Sequence, residues 1–185
     1  MQAVTPVMAK KAFPLAKVYG LLEPGPVVLL TTADAGRANV MAMSWHSMLE
    51  FEPPLVGCVV SNRNYSFRLL ESSRECVINI PTADIAQQVV RCGNAPGLRT
   101  DKFRKFGLTP SSATQVGAPL IDECYASLEC RVVYASMVAK YCFFVLQVRK
   151  AWVDPKVREP RTLHHRGYGT FMVAGETIKL RSKMR

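Results

Sequence analysis

The stretch VMAMSWHSMLEFEPPLVGCVVSNRNYS, residues 40–66, contains two apolar runs that each end in polar residues. The first run reaches a Trp-His pair flanked by Ser44 and Ser47, and the second follows a double proline and ends in residues 61–64. Because proline cannot donate to a sheet ladder, the prolines fit only the entrance of a strand. The stretch predicts two strands, each followed by hydroxyl, amide and basic side chains.

The first run also has the alternation of a strand, whose side chains point to opposite faces in turn. One face would carry Asn39, Met41, Met43 and Trp45, and the other Val40, Ala42, Ser44 and His46. The small residues of the second face leave room for a flat ligand, and backbone groups at the strand end could bind the polar edge of a ring system. The alternative is a core strand with a capping tryptophan and a satisfied histidine.

Working outward, strand patterns outnumber helical ones. Residues 23–32 and 38–45 predict a hairpin around the turn DAGR, and further strands are predicted in residues 53–61, 75–81, 126–136, 140–153 and 169–180. Short helices are predicted in residues 65–73 and 82–93, the latter with Gly93 after its end, and a helical turn within residues 98–108. So few helices disfavour a parallel doubly wound sheet and predict a mainly β barrel, with residues 1–185 forming a single domain.

Composition narrows the classes of partner. The 185 residues carry a net charge of +10, but the basic residues are scattered, so a phosphorylated small molecule explains the charge better than nucleic acid does. No apolar stretch approaches the ~20 residues that span a membrane. The N-terminal segment, residues 1–22, lacks the pattern of a signal peptide, so we expect a cytoplasmic protein that does not contact membranes.

The six cysteines show no metal-binding or disulfide pattern. Cys58, Cys76, Cys130 and Cys142 lie in apolar runs and are predicted to be reduced and buried, and no cysteine spacing suits zinc. Cys92, in VRCGNAPG, closes a predicted helix into a Gly/Pro loop and is therefore expected to be the most exposed.

The segment SNRNYSF, residues 61–67, follows a strand and begins a helix. The first turn of a helix favours an anion, because its backbone N–H groups and its dipole are positive there. Ser61, Asn62 and Ser66 can donate hydrogen bonds, and Arg63 supplies a charged fork. These residues predict a phosphate site without a P-loop; the alternative is a helix cap with a solvated arginine.

Two other segments are less specific. TLHHRGYGTF, residues 162–171, has two adjacent histidines in a basic, Gly-rich loop, which is either a surface loop or a substrate-facing one. Zinc needs three or four ligands, and no partners at workable spacing are found, so no metal site is predicted. Asp101 and Lys102 follow a Gly/Pro loop and by themselves are uninformative. No nucleophile elbow or paired carboxylates are present.

The ordered set of these segments resembles a known family. The run from GPVVLLTT through NVMAMSWHS and SNRNYSF to ECVINIP, continued by DKFRKFGL, ASLECRVV, YCFFVLQVRKAWV and HHRGYGTFMVAG, is similar to the flavin reductase-like, FMN-binding split-barrel family, and especially to its flavoredoxin branch. No single piece is specific, but the resemblance covers nearly the whole chain. It implies an antiparallel Greek-key split β-barrel with a few short peripheral helices.

The resemblance also implies a homodimer with FMN near the interface. The strand end, including Met41, Ser44, Trp45, His46 and Ser47, would line the isoalloxazine ring, largely through backbone groups. The ribityl-phosphate arm would be held by Ser61, Asn62, Arg63, Asn64 and Ser66, with Lys102 adding charge near the phosphate. His165, or its neighbour His164, would lie near the nicotinamide or the flavin and is the candidate catalytic residue.

Two functions follow from the resemblance. One is an FMN-dependent oxidoreductase that passes electrons between NAD(P)H, flavin and an acceptor, with the hydride chemistry supplied by the flavin. The alternative is a non-enzymatic FMN electron carrier that serves redox protein partners. A third hypothesis, from charge alone, is a polyanion-binding module, which would show a steep salt dependence of nucleic-acid binding.

Overall fold

The computed structural model describes residues 25–181, so the expectation for the N-terminal segment lies outside the described residues. The helices are α1 (Tyr65–Ser73), α2 (Ala86–Asn94), α3 (Lys102–Phe106) and α4 (Val138–Tyr141), and a 3-10 turn, Ala83–Ile85, precedes α2. The strands are β1 (Val28–Asp34), β2 (Arg37–Met43), β3 (His46–Glu50), β4 (Leu55–Val59), β5 (Glu75–Ile80), β6 (Pro110–Ser111), β7 (Leu120–Ile121), β8 (Ala126–Tyr134), β9 (Phe143–Val153), β10 (Leu163–Gly167) and β11 (Thr170–Val173).

Seven of these strands form one antiparallel sheet in the order β2-β1-β5-β8-β9-β4-β3. Its two edge strands, β2 and β3, are consecutive in the chain, and Val59 N donates to the carbonyl of Trp45 between them at 3.0 Å. His46 Nε2 lies 2.7 Å from the carbonyl oxygen of Pro26, just before β1. The two edge strands therefore adjoin where β2 passes into β3, and the predicted mainly β split barrel with short peripheral helices is confirmed.

Two apolar clusters lie on opposite faces of β1 and β2. Val28, Leu30 and Met43 point into the barrel, where they pack with residues of α1, β4, β5, β8 and β9. Leu29 and Val40 point outward and pack under α2, α3 and β10. Because both faces of β1 are covered, the run VVLL is apolar throughout rather than alternating.

Most elements agree with the sequence patterns, but β3, β6, β7, β10 and the short helix α4 were not predicted. The hairpin of β1 and β2 has the predicted turn, with Asp34 opposite Arg37. The sequence did not reveal β3, because only Ser44 and Trp45 separate it from β2 and neither is a glycine or proline that would mark a turn. The long strand β9 is irregular, since its pairing with β8 shifts register twice. Beyond β11, residues 174–181 form no strand.

The end of α2 corrects two predictions. Gly93 lies inside the last turn of the helix rather than after its end. Cys92 was expected to be exposed, and this was wrong: it is buried in the outer cluster, three residues after Val89 on the same helical face. Burial raises the pKa of its thiol to about 11, against a smaller opposing effect of Lys102, so Cys92 is an unreactive thiol at neutral pH.

The other cysteines are also unpaired thiols. Cys58, Cys76 and Cys130 are buried inside the barrel as predicted, whereas Cys142 is only half-buried. Burial raises the pKa of Cys58 to about 12, which keeps this thiol protonated.

A buried carboxylate fixes the loop between β6 and β7. Glu129, on β8, accepts hydrogen bonds from the backbone N–H groups of Thr114 and Gln115, from the Thr114 hydroxyl and from Trp152 Nε1. Burial by itself would raise the pKa of Glu129, but these donors stabilise the charged form and hold the pKa below its usual value. Glu129 thereby anchors the loop to the barrel, together with Glu75, whose Oε2 accepts from the backbone N–H of Gly117 at 2.8 Å.

No helix within residues 25–181 is long and apolar enough to cross a membrane. A single domain over residues 1–185 stays a prediction, since the described part ends at residue 181 and begins at residue 25.

Candidate functional site

Two cavities lie side by side along β2. The hairpin cavity, about 470 Å³, lies between α2 and the β10–β11 hairpin; it is lined by Val27, Ala42, Met43, Ser44, Val89, Val90, Gly93, Asn94, His165, Tyr168, Gly169 and Phe171. The basic cavity, about 250 Å³, is lined by Asn39, Met41, Ala42, Arg63, Asn64, Tyr65, Cys92, Gly93, Ala95, Pro96, Gly97, Leu98 and Lys102. Both include Ala42 and Gly93, so the two cavities are adjacent, and together they are called the groove.

The small residues at the middle of this groove set its width. A Cβ added to Gly93 would lie 3.5 Å from Cβ of Ala42, so the end of α2 approaches β2 closely there. Ala42 and Ser44, the small residues of the alternating face, both line the hairpin cavity. Room for a flat ligand was predicted on this face, and it is where the structure has a cavity.

Lys102 is a buried charge on the wall of the basic cavity. Only 4% of its surface is exposed, and its Nζ donates to the carbonyl oxygen of Cys92 at 2.7 Å. No carboxylate of residues 25–181 lies within 4.0 Å of this nitrogen. Burial lowers the pKa of Lys102, because an ammonium group loses its hydration there. A buried cation without an anionic neighbour is a site that an anionic ligand would complete.

The short helix α3 directs Lys102 into the groove. Asp101 precedes it as N-cap, and its Oδ1 accepts from the backbone N–H of Arg104 at 3.1 Å. Lys102 and Phe103 then face the protein, whereas Arg104 and Lys105 face solvent. DKF appeared uninformative in sequence, because the inward direction of Lys102 depends on this cap and on the packing of Phe103.

Arg63 and Asn64 approach the basic cavity from the start of α1. Asn64 is the N-cap residue, but its side chain makes no capping hydrogen bond. Arg63 is exposed and its backbone N–H donates to Ser61 Oγ at 3.3 Å. The cavity thus has two cationic side chains and a helix start on its walls, which is an arrangement suited to phosphate.

The predicted residues therefore divide into six that line a cavity and six that line neither. Met41, Arg63, Asn64 and Lys102 line the basic cavity, and Ser44 and His165 line the hairpin cavity. The remaining ones line neither cavity: Trp45, His46, Ser47, Ser61, Asn62 and Ser66.

The residues that line neither cavity make contacts elsewhere, or are exposed to solvent. Trp45 is 56% exposed, and His46 is bonded to Pro26 at the barrel edge. The Ser47 hydroxyl donates to the carbonyl of Met48. Ser66 is fully buried, and its hydroxyl accepts a hydrogen bond from Asn39 Nδ2 at 2.8 Å. The expectation that Ser66 faces the phosphate is therefore not met by its position.

Asn39 is a site residue that the sequence did not reveal. Its buried side chain joins β2 to α1 through Ser66, and a Cβ on Gly97 would lie 2.5 Å from Asn39 Oδ1. The loop after α2 therefore packs directly on this amide, which sets the distance between two walls of the basic cavity. The sequence feature that could have indicated this role is a polar asparagine within an otherwise apolar strand.

The structure distinguishes the two adjacent histidines. His164 Nε2 lies 2.9 Å from the Thr162 hydroxyl, whereas the His165 ring lines the hairpin cavity with its centroid 5.1 Å from that of Phe171. His165 is therefore the residue of the pair that can contact a ligand in the groove. Within residues 25–181 no group of three or more His, Cys, Asp or Glu side chains could hold a metal ion.

Comparison with known proteins gives one family. A model of the flavin reductase like domain matches residues 21–172. The uncharacterised protein YddH of Escherichia coli K12 is 33% identical over 172 residues, which cover 85% of this chain and 91% of YddH. An uncharacterised protein of Archaeoglobus fulgidus is 31% identical, covering 64% of this chain and 67% of its own length.

Solved structures share the fold. An FMN-binding domain of a flavin reductase-like enzyme from Shewanella baltica is 29% identical, with a TM-score of 0.79, covering 92% of this chain and 97% of its own. Flavoredoxin of Desulfovibrio vulgaris (Miyazaki F) is 20% identical, with a TM-score of 0.78, covering 96% of this chain and 97% of its own. The second similarity describes the fold alone.

Proposed function

The chain belongs to the flavin reductase-like domain family, and we propose that it is an oxidoreductase that binds FMN in the groove along β2. The observation that carries the proposal is the buried, carboxylate-free Lys102 at one end of a groove whose other end is lined by Ala42, Ser44 and Gly93. A similar domain from Shewanella baltica is FMN-binding, which supports the same ligand here.

The residues present fit FMN, which combines a flat ring with a phosphate dianion. Lys102 and Arg63 would neutralise the phosphate in the basic cavity, and the backbone at the start of α1 would donate hydrogen bonds. The ring would lie in the hairpin cavity against Ala42 and Ser44, the two small side chains in its lining at the end of β2. The ribityl chain would pass Gly93, which both cavities share.

Bound FMN supplies hydride and single-electron chemistry through its ring. The chain's own part is to bind, orient and shield that ring. Val89 and Val90 of α2 form an apolar wall that excludes water on one side of the hairpin cavity, and Phe171 supports His165 on the other. No protein nucleophile is needed for this role, in agreement with the lack of a nucleophile motif.

We assign to His165 a contact with the bound ring or with the electron donor beside it. His165→Ala should slow reduction of bound flavin by about 10-fold or more, in the range of a lost polar contact to a reacting group, with little change in FMN affinity. His164→Ala is the matched control, since this ring is bonded to Thr162. Stopped-flow reduction and FMN titration would be measured on both variants. Loss of FMN affinity with normal reduction in His165→Ala would show that the assigned role is wrong.

The proposed electron donor is NAD(P)H. The FMN-loaded protein would be mixed anaerobically with NADH and with NADPH, and flavin absorbance followed. Rapid bleaching by either nucleotide, followed by turnover with an added acceptor, supports the oxidoreductase. Bound flavin that neither nucleotide reduces, but that a redox protein does reduce, supports the alternative of an FMN electron carrier.

We further propose that two copies of the chain associate through the outer face of β3, β4 and β9. Leu49 is exposed there, and Leu55, Val59, Phe143 and Val145 are only half-buried. A Cβ on Gly57, between them, would lie 2.5 Å from the Phe143 ring, so this ring lies flat on the strand. The result is an apolar surface of the kind that a protein partner covers.

The dimer can be tested with one charge. Leu49→Glu should convert a dimer into a monomer, because a carboxylate on the apolar face would be desolvated in the interface. Sedimentation velocity on both proteins measures the state, with circular dichroism confirming that the variant is folded. A wild-type chain that stays monomeric at all concentrations would refute the proposal.

A further inference from the structure

Tyr168 occupies an unusual position at the mouth of the hairpin cavity. It lines the cavity with His165 and Phe171, yet 88% of its surface is exposed. Within residues 25–181 its side chain makes no hydrogen bond, ion pair or ring contact, and it belongs to neither apolar cluster. The ring therefore contributes little to the folded state as described.

The backbone at Tyr168 is also unfavourable for a tyrosine. Gly167 pairs with Thr170, so Tyr168 and Gly169 form a two-residue turn, and their φ angles are +51° and +75°. Two-residue hairpin turns with positive φ at both positions strongly prefer Asn-Gly. A residue with a large side chain is uncommon in this left-handed conformation. Neither turn geometry nor packing accounts for an aromatic residue at this position.

The walls of the cavity show what the ring could contact. Val89 and Val90 come from α2 on one side, Ala42 and Ser44 form the floor, and His165 with Phe171 lies under the hairpin. Tyr168 lines the same cavity from the turn at the tip of the hairpin. An aromatic side chain with two rotatable bonds can turn onto a flat ligand there at small entropic cost.

We propose that the Tyr168 ring closes onto the flat ring of bound FMN and covers it on its solvent side. The inference rests on the proposed function and goes beyond it, because it assigns both affinity and access at the ring to one residue of the hairpin. Aromatic pairs of this kind prefer offset-stacked or edge-to-face contact, and the phenol hydroxyl stays in water. Tyr168 is thus a binding and shielding residue, distinct from the role of His165.

Two variants separate the ring from the turn. Tyr168→Asn removes the ring and places the preferred residue in the turn, so the FMN-free protein should unfold at the same temperature as wild type or higher. Its FMN dissociation constant should rise by about 2- to 10-fold, as expected for one lost aromatic contact. Tyr168→Phe keeps the ring and should keep wild-type affinity. Flavin fluorescence in the complex should increase in both variants, because a phenol in contact with flavin quenches it by electron transfer.

The experiment is titration of FMN into the FMN-free wild type and both variants, with fluorescence and calorimetry, and a thermal melt of each protein without FMN. Weakened binding in Tyr168→Asn with normal melting, and normal affinity in Tyr168→Phe, supports the proposal. Unchanged affinity and fluorescence in Tyr168→Asn would overturn it while leaving FMN binding established. If wild type does not bind FMN, the proposed function is refuted, and the proposed role of Tyr168 is refuted with it.

Discussion

Replacing Lys102 by methionine is expected to weaken FMN binding and, at the same time, to stabilise the FMN-free protein. The ammonium group is buried without a carboxylate neighbour among residues 25–181, and we expect the relief of its desolvation cost to exceed the loss of the hydrogen bond that Nζ donates to the Cys92 carbonyl. The same change removes a charge-assisted hydrogen bond to phosphate, worth about 1.5–3 kcal/mol. Methionine has a similar length and fills the space that the lysine chain occupies.

Opposite signs in the two measurements make this prediction specific. FMN affinity would be measured by titration, and stability by thermal unfolding with and without FMN. Lys105→Met, on the exposed side of the same helix, removes the same charge from the surface and should change neither value appreciably. Arg63→Ala should give a smaller loss of affinity, about 0.5–1.5 kcal/mol, because Arg63 is exposed. Unchanged FMN affinity in Lys102→Met would show that the phosphate does not bind in the basic cavity.

Glu129→Gln is expected to lower the free energy of unfolding by about 2–4 kcal/mol, since buried donors lose their charged acceptor. The two backbone N–H groups of Thr114 and Gln115 both point at Oε2 of Glu129. In the variant an NH2 group replaces one of the two carboxylate oxygens. It faces either the two backbone N–H donors or the donors of Trp152 and the Thr114 hydroxyl, so one pair of donors loses its acceptor. Urea unfolding measures the loss. Glu123→Gln is the control, because that carboxylate is exposed where it binds Thr109.

The same residue gives a pH dependence. The folded pKa of Glu129 is held below its unfolded value of about 4.3, so its contribution is complete above that pH and is lost as pH falls through the folded pKa. The difference in stability between wild type and Glu129→Gln should therefore be constant near neutral pH and shrink in acid. A difference that grows as pH falls would show that the pKa of Glu129 is raised instead.

Period-two patterns predicted the parts of the fold that depend on neighbours in sequence. The hairpin of β1 and β2 follows from its alternation and its DAGR turn, and the same alternation placed Ala42 and Ser44 on the face that carries the cavity. β3 could not be predicted in this way, because its chain continues from β2 through Ser44 and Trp45 with no turn residue.

The positions that the sequence did not reveal have a common cause, which is tertiary packing. Gly93 has the composition of a helix stop, but it serves the close approach of α2 to Ala42 and lies within the helix. Ser66 is at a helix start, yet Asn39 from another strand binds it in the interior. Lys102 is buried because α3 turns it inward. Each position depends on contacts with residues outside its own segment, and a local sequence pattern does not predict such contacts.

The central claim is that one groove holds a flat ring at Ala42 and Ser44 and a phosphate at Lys102 and Arg63. Parallel titration of the FMN-free protein with FMN and with riboflavin tests it most directly, because riboflavin has the same ring and ribityl chain without the phosphate. Two charge-assisted contacts predict that FMN binds at least about 10-fold more tightly, and that this advantage shrinks in Lys102→Met. Equal affinity for the two flavins, or no binding of either, would contradict the account.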